Sequence, residues 1–375
     1  MTLISAGAVV AGGRVHRPGW VHTEGRRIRV CGPGKPPAAP DLDAPNSVVV
    51  PGFVDMHVHG GGGASFTDGA ATDVAAFHRR HGTTTMLASL ITASSDELLT
   101  VVRLLAEATC AGIVAGIHLE GPWLSRARCG AHDPARMRDP DPSEIDAVLT
   151  AAQGSVRMVT LAPELPGADA AIHQLRDANV VVAVGHTDAT YEQTAHAIAA
   201  GATVGTHLFN AMPPLHHRNP GPVLALLRDP RVTVELIADG VHVHPEVVRA
   251  VTTGVGPGRV ALVTDAIAAA GYGDGRYRLG AVPIEVQSRV ARVQGTTTIA
   301  GSTATMDALF RTAAAGGDDA GLLAAVQMTS TTPARALGLA AVGDLSPGFD
   351  ADLVVLDEHL RIAAVMSDGD WSLAP

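Results

Sequence analysis

The feature of this sequence that most constrains its fold is a series of eight short apolar runs, separated by segments of helical character. The runs are nearly continuous rather than alternating, which is typical of strands buried on both faces of a parallel sheet. Eight such strand–helix units predict an α/β protein built on a closed (β/α)8 barrel. The runs are Val48–Val54, Thr83–Leu90, Ile113–Leu119, Val156–Leu161, Val180–Val184, Thr203–Leu208, Val232–Ile237 and Val260–Thr264.

An open, doubly wound sheet is the main alternative to the barrel. In that fold a glycine-rich GxGxxG turn commonly follows a strand and binds a dinucleotide. No run in this sequence is followed by such a turn, whereas polar residues gather just after the C-terminal ends of the runs. Barrel enzymes carry their active sites at that end of the strands, so the pattern favours the barrel.

The two ends of the chain have a different pattern from the middle. The N-terminal segment combines short alternating runs with turn signals such as Gly12-Gly13 and Pro33-Gly34, and residues 343–357 read as a turn followed by a strand. We expect the C-terminal strand to pair with the N-terminal strands. The sequence therefore predicts a small β-sandwich domain of residues 1–47 and 340–375, with the barrel domain, residues 48–339, between its two parts.

Composition excludes several classes of function. The net charge of −10 leaves no basic stripe for a nucleic-acid backbone, and no apolar run approaches the roughly 18 residues that span a bilayer. The N-terminus lacks the features of a secretory signal, so we expect a cytoplasmic protein.

Cys31, Cys110 and Cys129 are too widely spaced for a CxxC metal site, and we expect free thiols.

A His-x-His pair follows the first apolar run. Side chains alternate along a strand, so His57 and His59 point to the same side and can bind one ion. An isolated pair of this kind could equally be two polar residues at a strand end. Its place at the end of the first barrel strand, followed by the glycine run Gly60–Gly63, favours a functional site.

Four more candidate ligands end other strands of the predicted barrel. Glu120 ends the third strand, and His186, His207 and Asp265 end the fifth, sixth and eighth. Each alone could be a core histidine or a capping carboxylate. Together, at the same end of four strands, they predict a site for a divalent transition metal such as Zn, Fe, Mn or Co.

These residues and several longer motifs carry a family resemblance that covers nearly the whole chain. The strand-end histidines, the aspartate and the Ala351–Val355 tail resemble the amidohydrolase superfamily. Within it the sequence resembles the N-acetylglucosamine-6-phosphate deacetylases. The motifs that carry this closer likeness are His118-Leu-Glu-Gly-Pro-Trp123, Gly130-Ala-His132, Gly185-His-Thr187, Thr206-His-Leu-Phe-Asn-Ala-Met-Pro213, Ala238-Asp-Gly-Val-His242 and Ala300-Gly-Ser302.

The resemblance implies a metal site of one or two ions per subunit. Many relatives bridge two metals with a carbamylated lysine, but Lys35 is the only lysine here and precedes the barrel. Glu120 is the family's candidate for the bridging ligand. We therefore expect one ion to be held by His57, His59, Glu120 and Asp265, and the other by Glu120, His186 and His207.

The resemblance also implies a reaction and a set of substrate-binding residues. A metal-activated water attacks the acetyl carbonyl, with Asp265 as general base and then general acid, and His132 stabilises the intermediate. Substrate binding falls to Ala131, His132, Asn210, Ala211, Arg218 and His242, with Arg218 reaching the phosphate from the neighbouring subunit, which implies a homodimer. Arginine suits a phosphate, although His216-His217-Arg218 could also be an ordinary solvated loop.

Two other classes of function stay open at this point. One is another amidohydrolase, such as an N-acetylgalactosamine-6-phosphate deacetylase or a cyclic-amide hydrolase. The other is a catalytically inactive relative that serves as a binding protein. The presence of every expected ligand argues against the inactive relative.

Overall fold

The structure is a computed structural model that describes residues 1–375. Its strands are β1 (Thr2–Ala11), β2 (Arg14–His16), β3 (Gly19–Glu24), β4 (Arg27–Pro33), β5 (Leu42–Pro51), β6 (Phe53–Asp55), β7 (Gly60–Gly61), β8 (Ala64–Ser65), β9 (Thr83–Ile91), β10 (Gly116–Glu120), β11 (Val156–Leu161), β12 (Val181–Val184), β13 (Ala202–Gly205), β14 (Thr233–Leu236), β15 (Val260–Leu262), β16 (Gly275–Leu279), β17 (Val282–Gln287), β18 (Val290–Val293), β19 (Leu353–Leu356), β20 (Ile362–Ser367) and β21 (Asp370–Leu373).

Helices alternate with the strands through the middle of the chain. They are α1 (Ala71–Arg80), α2 (Ser95–Cys110), α3 (Pro142–Ala152), α4 (Ala168–Asp177), α5 (Tyr191–Ala200), α6 (Gly221–Arg228), α7 (Pro245–Val255), α8 (Met306–Ala313), α9 (Asp319–Val326) and α10 (Thr332–Ala336). Short 3-10 turns occur at Phe66–Asp68, Arg126–Arg128 and Pro257–Arg259, and a π-helical segment at Gln327–Thr331.

Helix starts follow from local sequence signals. Asp141 caps α3 by accepting hydrogen bonds from the backbone N–H groups of Ser143 and Glu144, and a proline follows as the first helical residue. At α5, Thr190 and Gln193 form a reciprocal capping box. Such caps satisfy the free N–H groups of the first turn, so the strand-to-helix connections end at defined residues.

The predicted barrel is confirmed. Eight strands form one sheet in the order β6, β9, β10, β11, β12, β13, β14, β15, and every neighbouring pair from β9 to β15 is parallel. A parallel bridge between Val58 and Ala266 joins the extensions of the first and eighth strands, with the N–H of Asp265 donating to the His57 carbonyl at 2.8 Å. The carboxyl ends of the strands therefore meet around one opening.

The first apolar run is divided differently from the prediction. Residues of Val48–Val54 fall into two strands, because β5 ends at Pro51 and β6 begins at Phe53. Proline cannot donate to a strand ladder, and the Pro51-Gly52 pair separates the two strands. β5 pairs with β19 of the terminal sheet, and the short β6 is the barrel strand.

The two chain ends form a β-domain, which confirms the predicted sandwich-type domain. Its sheet has the order β21, β20, β19, β5, β1, β3, β4, with β2 paired to β1. The C-terminal β19 runs antiparallel to β5, and β5 runs parallel to β1. A core of fully buried side chains, including Ile4, Val21, Val49 and Leu353, lies on this sheet.

A three-stranded antiparallel sheet of β16, β17 and β18 follows the last barrel strand. This sheet was not among the predicted elements. Its buried face packs Ile284 and Val286 with Ile91 and Ile267 of the barrel unit. The alternation of buried and exposed residues along Val282–Gln287 is the period expected of a sheet with one covered face.

Packing divides the chain into two compact units. One comprises Met1–Asp55, Ala76–Thr85 and Thr305–Pro375, and the other comprises Met56–Ala75 and Met86–Ala304. All the predicted site residues belong to the second unit. The domain boundaries at residues 47 and 340 stay a prediction.

Two smaller expectations concern membranes and cysteines. None of the helices is both long and apolar enough to cross a bilayer. The three cysteines are free thiols, as predicted, with Cys110 exposed and Cys31 and Cys129 partly buried.

Candidate metal centre

The six predicted metal ligands meet at the carboxyl ends of the barrel strands. His57 and His59 bring their Nε2 atoms to 3.2 Å from each other. Asp265 Oδ1 lies 3.5 Å from His57 Nε2 and 3.2 Å from His59 Nε2. These three side chains form one half of the cluster, and all are buried.

Glu120 links this half to the second half of the cluster. Its Oε1 lies 3.1 Å from His186 Nε2 and 2.8 Å from His207 Nε2, and those two nitrogens are 3.1 Å apart. The same Oε1 is 3.5 Å from His57 Nε2, and Oε2 is 3.3 Å from His59 Nε2. A single carboxylate thus faces all four histidines, which is the arrangement needed of a bridging ligand.

The spacing of these donor atoms fits a metal ion. Ligand atoms bound at about 2.0–2.1 Å around a tetrahedral zinc ion lie roughly 3.3 Å from one another. The neighbouring donors of both halves are separated by 2.8–3.5 Å. Imidazole nitrogens and carboxylate oxygens are also the donor types that divalent transition metals prefer.

Charge gives a second reason to expect a cation. Burial works against a charge on His57, yet the carboxylates of Glu120, Glu235 and Asp265 raise its pKa well above the usual value. Burial likewise opposes ionisation of Glu120 and Asp265, but the facing imidazoles lower the pKa of Asp265 to about 2 and that of Glu120 well below its usual range. Buried carboxylates need a positive charge beside them, which a divalent ion supplies.

Three of the ligands occupy unusual backbone conformations. His186, His207 and Asp265 have φ angles of +46°, +24° and +47°. Residues with a side chain rarely adopt positive φ, and such conformations cost about 1–3 kcal/mol each and concentrate at functional sites. Here each marks the point where the chain turns out of a strand and aims its side chain into the opening.

Hydrogen bonds to the second ring nitrogen orient three of the histidines. In His57, Nδ1 lies 3.0 Å from a carboxylate oxygen of Glu235. In His59 it lies 3.1 Å from the backbone carbonyl oxygen of Ser89, and in His186 it lies 2.9 Å from that of Arg128. Oxygens of this kind only accept, so Nδ1 carries the proton and Nε2 keeps its lone pair. That is the tautomer a metal ligand needs.

Glu235 was not among the residues predicted for the site. It lies in β14, is fully buried, and its Oε2 accepts hydrogen bonds from His57 Nδ1 and from the backbone N–H of His207, both at 3.0 Å. One signal in the sequence could have found it. A glutamate inside an apolar run that is buried on both faces must have a polar partner in the core.

His118 lies next to the ligands without being one. Ser89 Oγ accepts the N–H of Val58 and donates to His118 Nδ1 at 2.9 Å, and His118 Nε2 donates to Thr160 Oγ1 at 2.8 Å. Thr160 in turn contacts Thr206 at 2.8 Å. Burial lowers the pKa of His118 well below its usual value, so this histidine is a neutral core residue with both nitrogens satisfied.

A cavity of about 320 Å³ opens onto the metal ligands. It contains five of the six residues expected to bind substrate: Ala131, His132, Asn210, Ala211 and His242. Its walls also include four residues that were not predicted, around the three-stranded sheet: Leu279, Thr297, Thr298 and Ile299. No local signal marked these four, because the sheet itself was not predicted.

The loop before His132 packs closely on a ligand. Gly130 has a φ of +56°, and a Cβ at this position would lie 3.0 Å from Cε1 of His186. Glycine therefore permits both the backbone conformation and the close approach. His132 is buried, its ring meets that of His186 edge-on with centroids 4.5 Å apart, and burial lowers its pKa to about 4.

His242 and Arg218 are in different situations. His242 faces the cavity and its Nδ1 donates to Asp239 Oδ2 at 2.8 Å. Burial opposes the charged form of His242, but Asp239 raises its pKa. Arg218 is outside the cavity wall, in an exposed loop where its side chain contacts His217.

Comparison with known proteins identifies the family of this chain. The model of the amidohydrolase family matches residues 48–372. An N-acetylglucosamine-6-phosphate deacetylase of Danio rerio is 40% identical over 342 residues, covering 86% of this chain and 83% of the relative. An N-acetylgalactosamine-6-phosphate deacetylase of Escherichia coli O157:H7 is 37% identical over 332 residues, covering 86% of this chain and 87% of the relative.

A solved structure extends the likeness over the whole chain. It is a variant of the N-acetyl-D-glucosamine-6-phosphate deacetylase of Mycobacterium smegmatis in complex with N-acetyl-D-glucosamine-6-phosphate. The two chains are 54% identical and superpose with a TM-score of 0.97 over 100% of this chain and 99% of that one. With the family model matching most of its length, this chain belongs to the amidohydrolase family.

Proposed function

We propose that this protein is a metal-dependent deacetylase that hydrolyses N-acetylglucosamine-6-phosphate to glucosamine-6-phosphate and acetate. The observation that carries the proposal is the meeting of two groups of residues in one cavity. The candidate metal ligands lie there beside Asn210, Ala211 and His242, the residues expected to hold the sugar phosphate. The relatives named as deacetylases of amino sugar phosphates support the same choice of substrate.

The proposed ligand sets follow the two halves of the cluster. One ion is held by His57, His59, Glu120 and Asp265, and a second by Glu120, His186 and His207. Zn, Fe, Mn and Co all suit these nitrogen and oxygen donors. When bound, such an ion lowers the pKa of water from 15.7 to about 7 and polarises a carbonyl oxygen.

Asp265 is proposed to move the proton during hydrolysis. Its carboxylate borders the cavity, and the facing imidazoles of His57 and His59 keep it ionised against the effect of burial, so that its oxygens are free of a proton of their own. The backbone is fixed on both sides, since its N–H donates to the His57 carbonyl and its carbonyl accepts the Ser302 N–H at 2.7 Å. The same carboxyl group then returns the proton to the departing amine nitrogen, so that a neutral amine leaves.

His132 is proposed to bind the acetyl carbonyl oxygen of the substrate. Its Nε2 lies in the cavity, 3.2 Å from Glu120 Oε2. A neutral imidazole that donates from this position can stabilise the negative charge that develops on the carbonyl oxygen. Ala131 precedes it in the same wall of the cavity.

Phosphate binding is proposed to involve a second subunit. Asn210, Ala211 and His242 would hold the phosphate end of the sugar. Burial opposes a charge on His242, but Asp239 raises its pKa above the usual value. Arg218 would reach the neighbouring active site of a homodimer, where its forked donors suit a phosphate dianion. Its exposed position outside its own cavity is compatible with that assignment.

Two broader proposals accompany this function. We assign the activity to a barrel domain of residues 48–339, and we place the enzyme in the cytoplasm, which cell fractionation tests.

N-acetylgalactosamine-6-phosphate is a second candidate substrate, because the E. coli relative that carries its name is 37% identical.

The decisive experiment is an assay of acetate release from a panel of sugars. N-acetylglucosamine-6-phosphate, its galactosamine epimer and unphosphorylated N-acetylglucosamine are compared at equal concentration. We expect the first to have the highest kcat/KM, and dialysis against a chelator to abolish the activity until metal is restored. A higher kcat/KM for the galactosamine epimer would favour the second candidate, and turnover that survives complete metal removal would refute the metal-dependent mechanism.

A further inference from the structure

The hydrogen bonds of His132 are the reverse of those made by the oriented ligands. Its Nδ1 lies 3.2 Å from the backbone nitrogen of Thr92 and 2.9 Å from the Thr92 hydroxyl. His57, His59 and His186 instead direct Nδ1 at oxygens that only accept. His132 thus faces a donor at the nitrogen where these three ligands face acceptors.

This difference determines which nitrogen of His132 carries the proton. A backbone N–H can only donate, so Nδ1 must present its lone pair to Thr92. A neutral imidazole then holds its proton on Nε2, the nitrogen that points into the cavity and at Glu120 Oε2. An imidazole in this state donates a hydrogen bond from Nε2 and cannot bind a metal ion there.

The surroundings of Thr92 are built to hold its hydroxyl against the ring. Thr92 and His132 are both buried, with 4% and 5% of their surfaces exposed. Gly121, which follows the bridging Glu120, has a φ of +87°, and a Cβ there would lie 2.5 Å from Thr92 Oγ1. Only glycine leaves room for the hydroxyl at this point of the chain.

We propose that Thr92 is a positioning residue that fixes His132 as the Nε2–H tautomer, so that this histidine acts as a hydrogen-bond donor and not as a metal ligand. Thr92 follows the last residue of β9 and supplies both its backbone N–H and its hydroxyl to the same nitrogen. The assignment of the tautomer rests on geometry alone. The use of this tautomer in catalysis, where Nε2–H of His132 would donate a hydrogen bond to the acetyl carbonyl oxygen, rests on the proposed function.

The competing assignment makes His132 a ligand. Its donor atom lies within 4.8 Å of those of Glu120 and His186, so position by itself would allow the three to share an ion. A ligand through Nε2 would need its proton on Nδ1, facing the N–H of Thr92. Two donors would then point at each other in a buried place, which is strongly unfavourable.

The tautomer can be observed directly by nitrogen NMR. Zinc-loaded protein labelled with ¹⁵N in its histidine rings is recorded at neutral pH, and the His132 signals are identified as those missing from the His132→Asn variant. We expect a protonated, pyrrole-type Nε2 and an unprotonated, pyridine-type Nδ1. A protonated Nδ1, or an Nε2 signal characteristic of metal coordination, would overturn the proposal.

Substitutions at Thr92 test its part in this arrangement. Thr92→Val removes the hydroxyl and keeps the backbone N–H, whereas Thr92→Ser keeps both groups. Loss of one neutral hydrogen bond is expected to reduce kcat about fivefold with little change in KM, and to shift the Nδ1 resonance. Serine should restore both. An unchanged Nδ1 resonance and unchanged kcat in Thr92→Val would refute the role of Thr92.

A matched control separates positioning from packing. Thr83 is the first residue of β9, is fully buried, and its hydroxyl has no hydrogen-bond partner. Thr83→Val should leave the His132 resonances and kcat unchanged, and a comparable shift in this control would refute a specific role for Thr92. If the wild-type protein releases no acetate, the proposed function fails while the NMR result still decides the tautomer.

Discussion

Replacing Glu235 by glutamine tests whether a residue that never touches the ion sets the affinity of the metal site. The substitution keeps the shape of the side chain and removes its charge. Glu235 Oε2 accepts hydrogen bonds from His57 Nδ1 and from the His207 backbone at 3.0 Å each, while its buried Oε1 has no hydrogen-bond partner. Glutamine can keep both contacts only by placing its NH₂ group where Oε1 was.

The expected magnitude follows from these contacts. A hydrogen bond to a charged group contributes about 1.5–3 kcal/mol, and one to a neutral group about 0.5–1.5 kcal/mol. The hydrogen bond that orients the His57 ring is therefore weakened by about 1 kcal/mol. An NH₂ group buried without an acceptor costs about 1–3 kcal/mol more. Changes of this kind around metal ligands typically weaken metal binding about 10–100-fold. We therefore expect metal affinity at the His57 half of the site to fall by that factor in Glu235→Gln.

Calorimetric titration of metal-free protein with Zn²⁺ at pH 7 measures this change. The control is Glu144→Gln, which alters a carboxylate bonded to Arg138 and Trp123 away from the metal ligands. That variant should lose stability but bind zinc as the wild-type protein does. A Glu235→Gln protein whose zinc affinity lies within twofold of the wild type would refute the argument that this carboxylate orients His57.

Three further predictions follow from the site and from the terminal β-domain. Asp265→Asn should still bind metal but lose about 10²–10⁴-fold in kcat, and a near-native rate would exclude it as the proton carrier. Arg218→Ala should raise KM for the phosphorylated sugar with little effect on kcat, and an unchanged KM would remove it from the phosphate site. Burial raises the pKa of Asp352 to about 6. At this residue the folded state then binds more protons than the unfolded state between about pH 4 and 6, so Asp352 contributes up to about 3 kcal/mol of stability that is lost as pH rises through that range. In urea unfolding at several pH values, the unfolding free energy of the wild type should therefore fall relative to that of Asp352→Asn over this range, and parallel curves would contradict the prediction.

Much of the site could be predicted because its pattern is local in sequence. His57 and His59 are two residues apart, and the other ligands each follow a recognisable apolar strand. In a parallel barrel all strands end on the same side, so strand order alone brings these ends together. The prediction needed no knowledge of distances.

The residues that were missed depend on contacts between distant segments. Glu235 lies inside an apolar run, and only the packed barrel shows its carboxylate on His57, 178 residues away. Leu279 and Thr298 became part of the cavity because an unpredicted antiparallel sheet follows the eighth strand. The buried face of that sheet packs on residues far away along the chain, such as Ile91, and no short sequence window contains such contacts.

The sequence by itself determined the fold class, the pairing of the chain ends and the identity of the candidate ligands, because apolar period and residue type are encoded locally. The tertiary structure alone decided how each histidine is used. Whether an imidazole keeps its lone pair for a metal or its proton for a substrate depends on the partner of its other nitrogen. In His57 and His132 that partner lies 178 and 40 residues away along the chain.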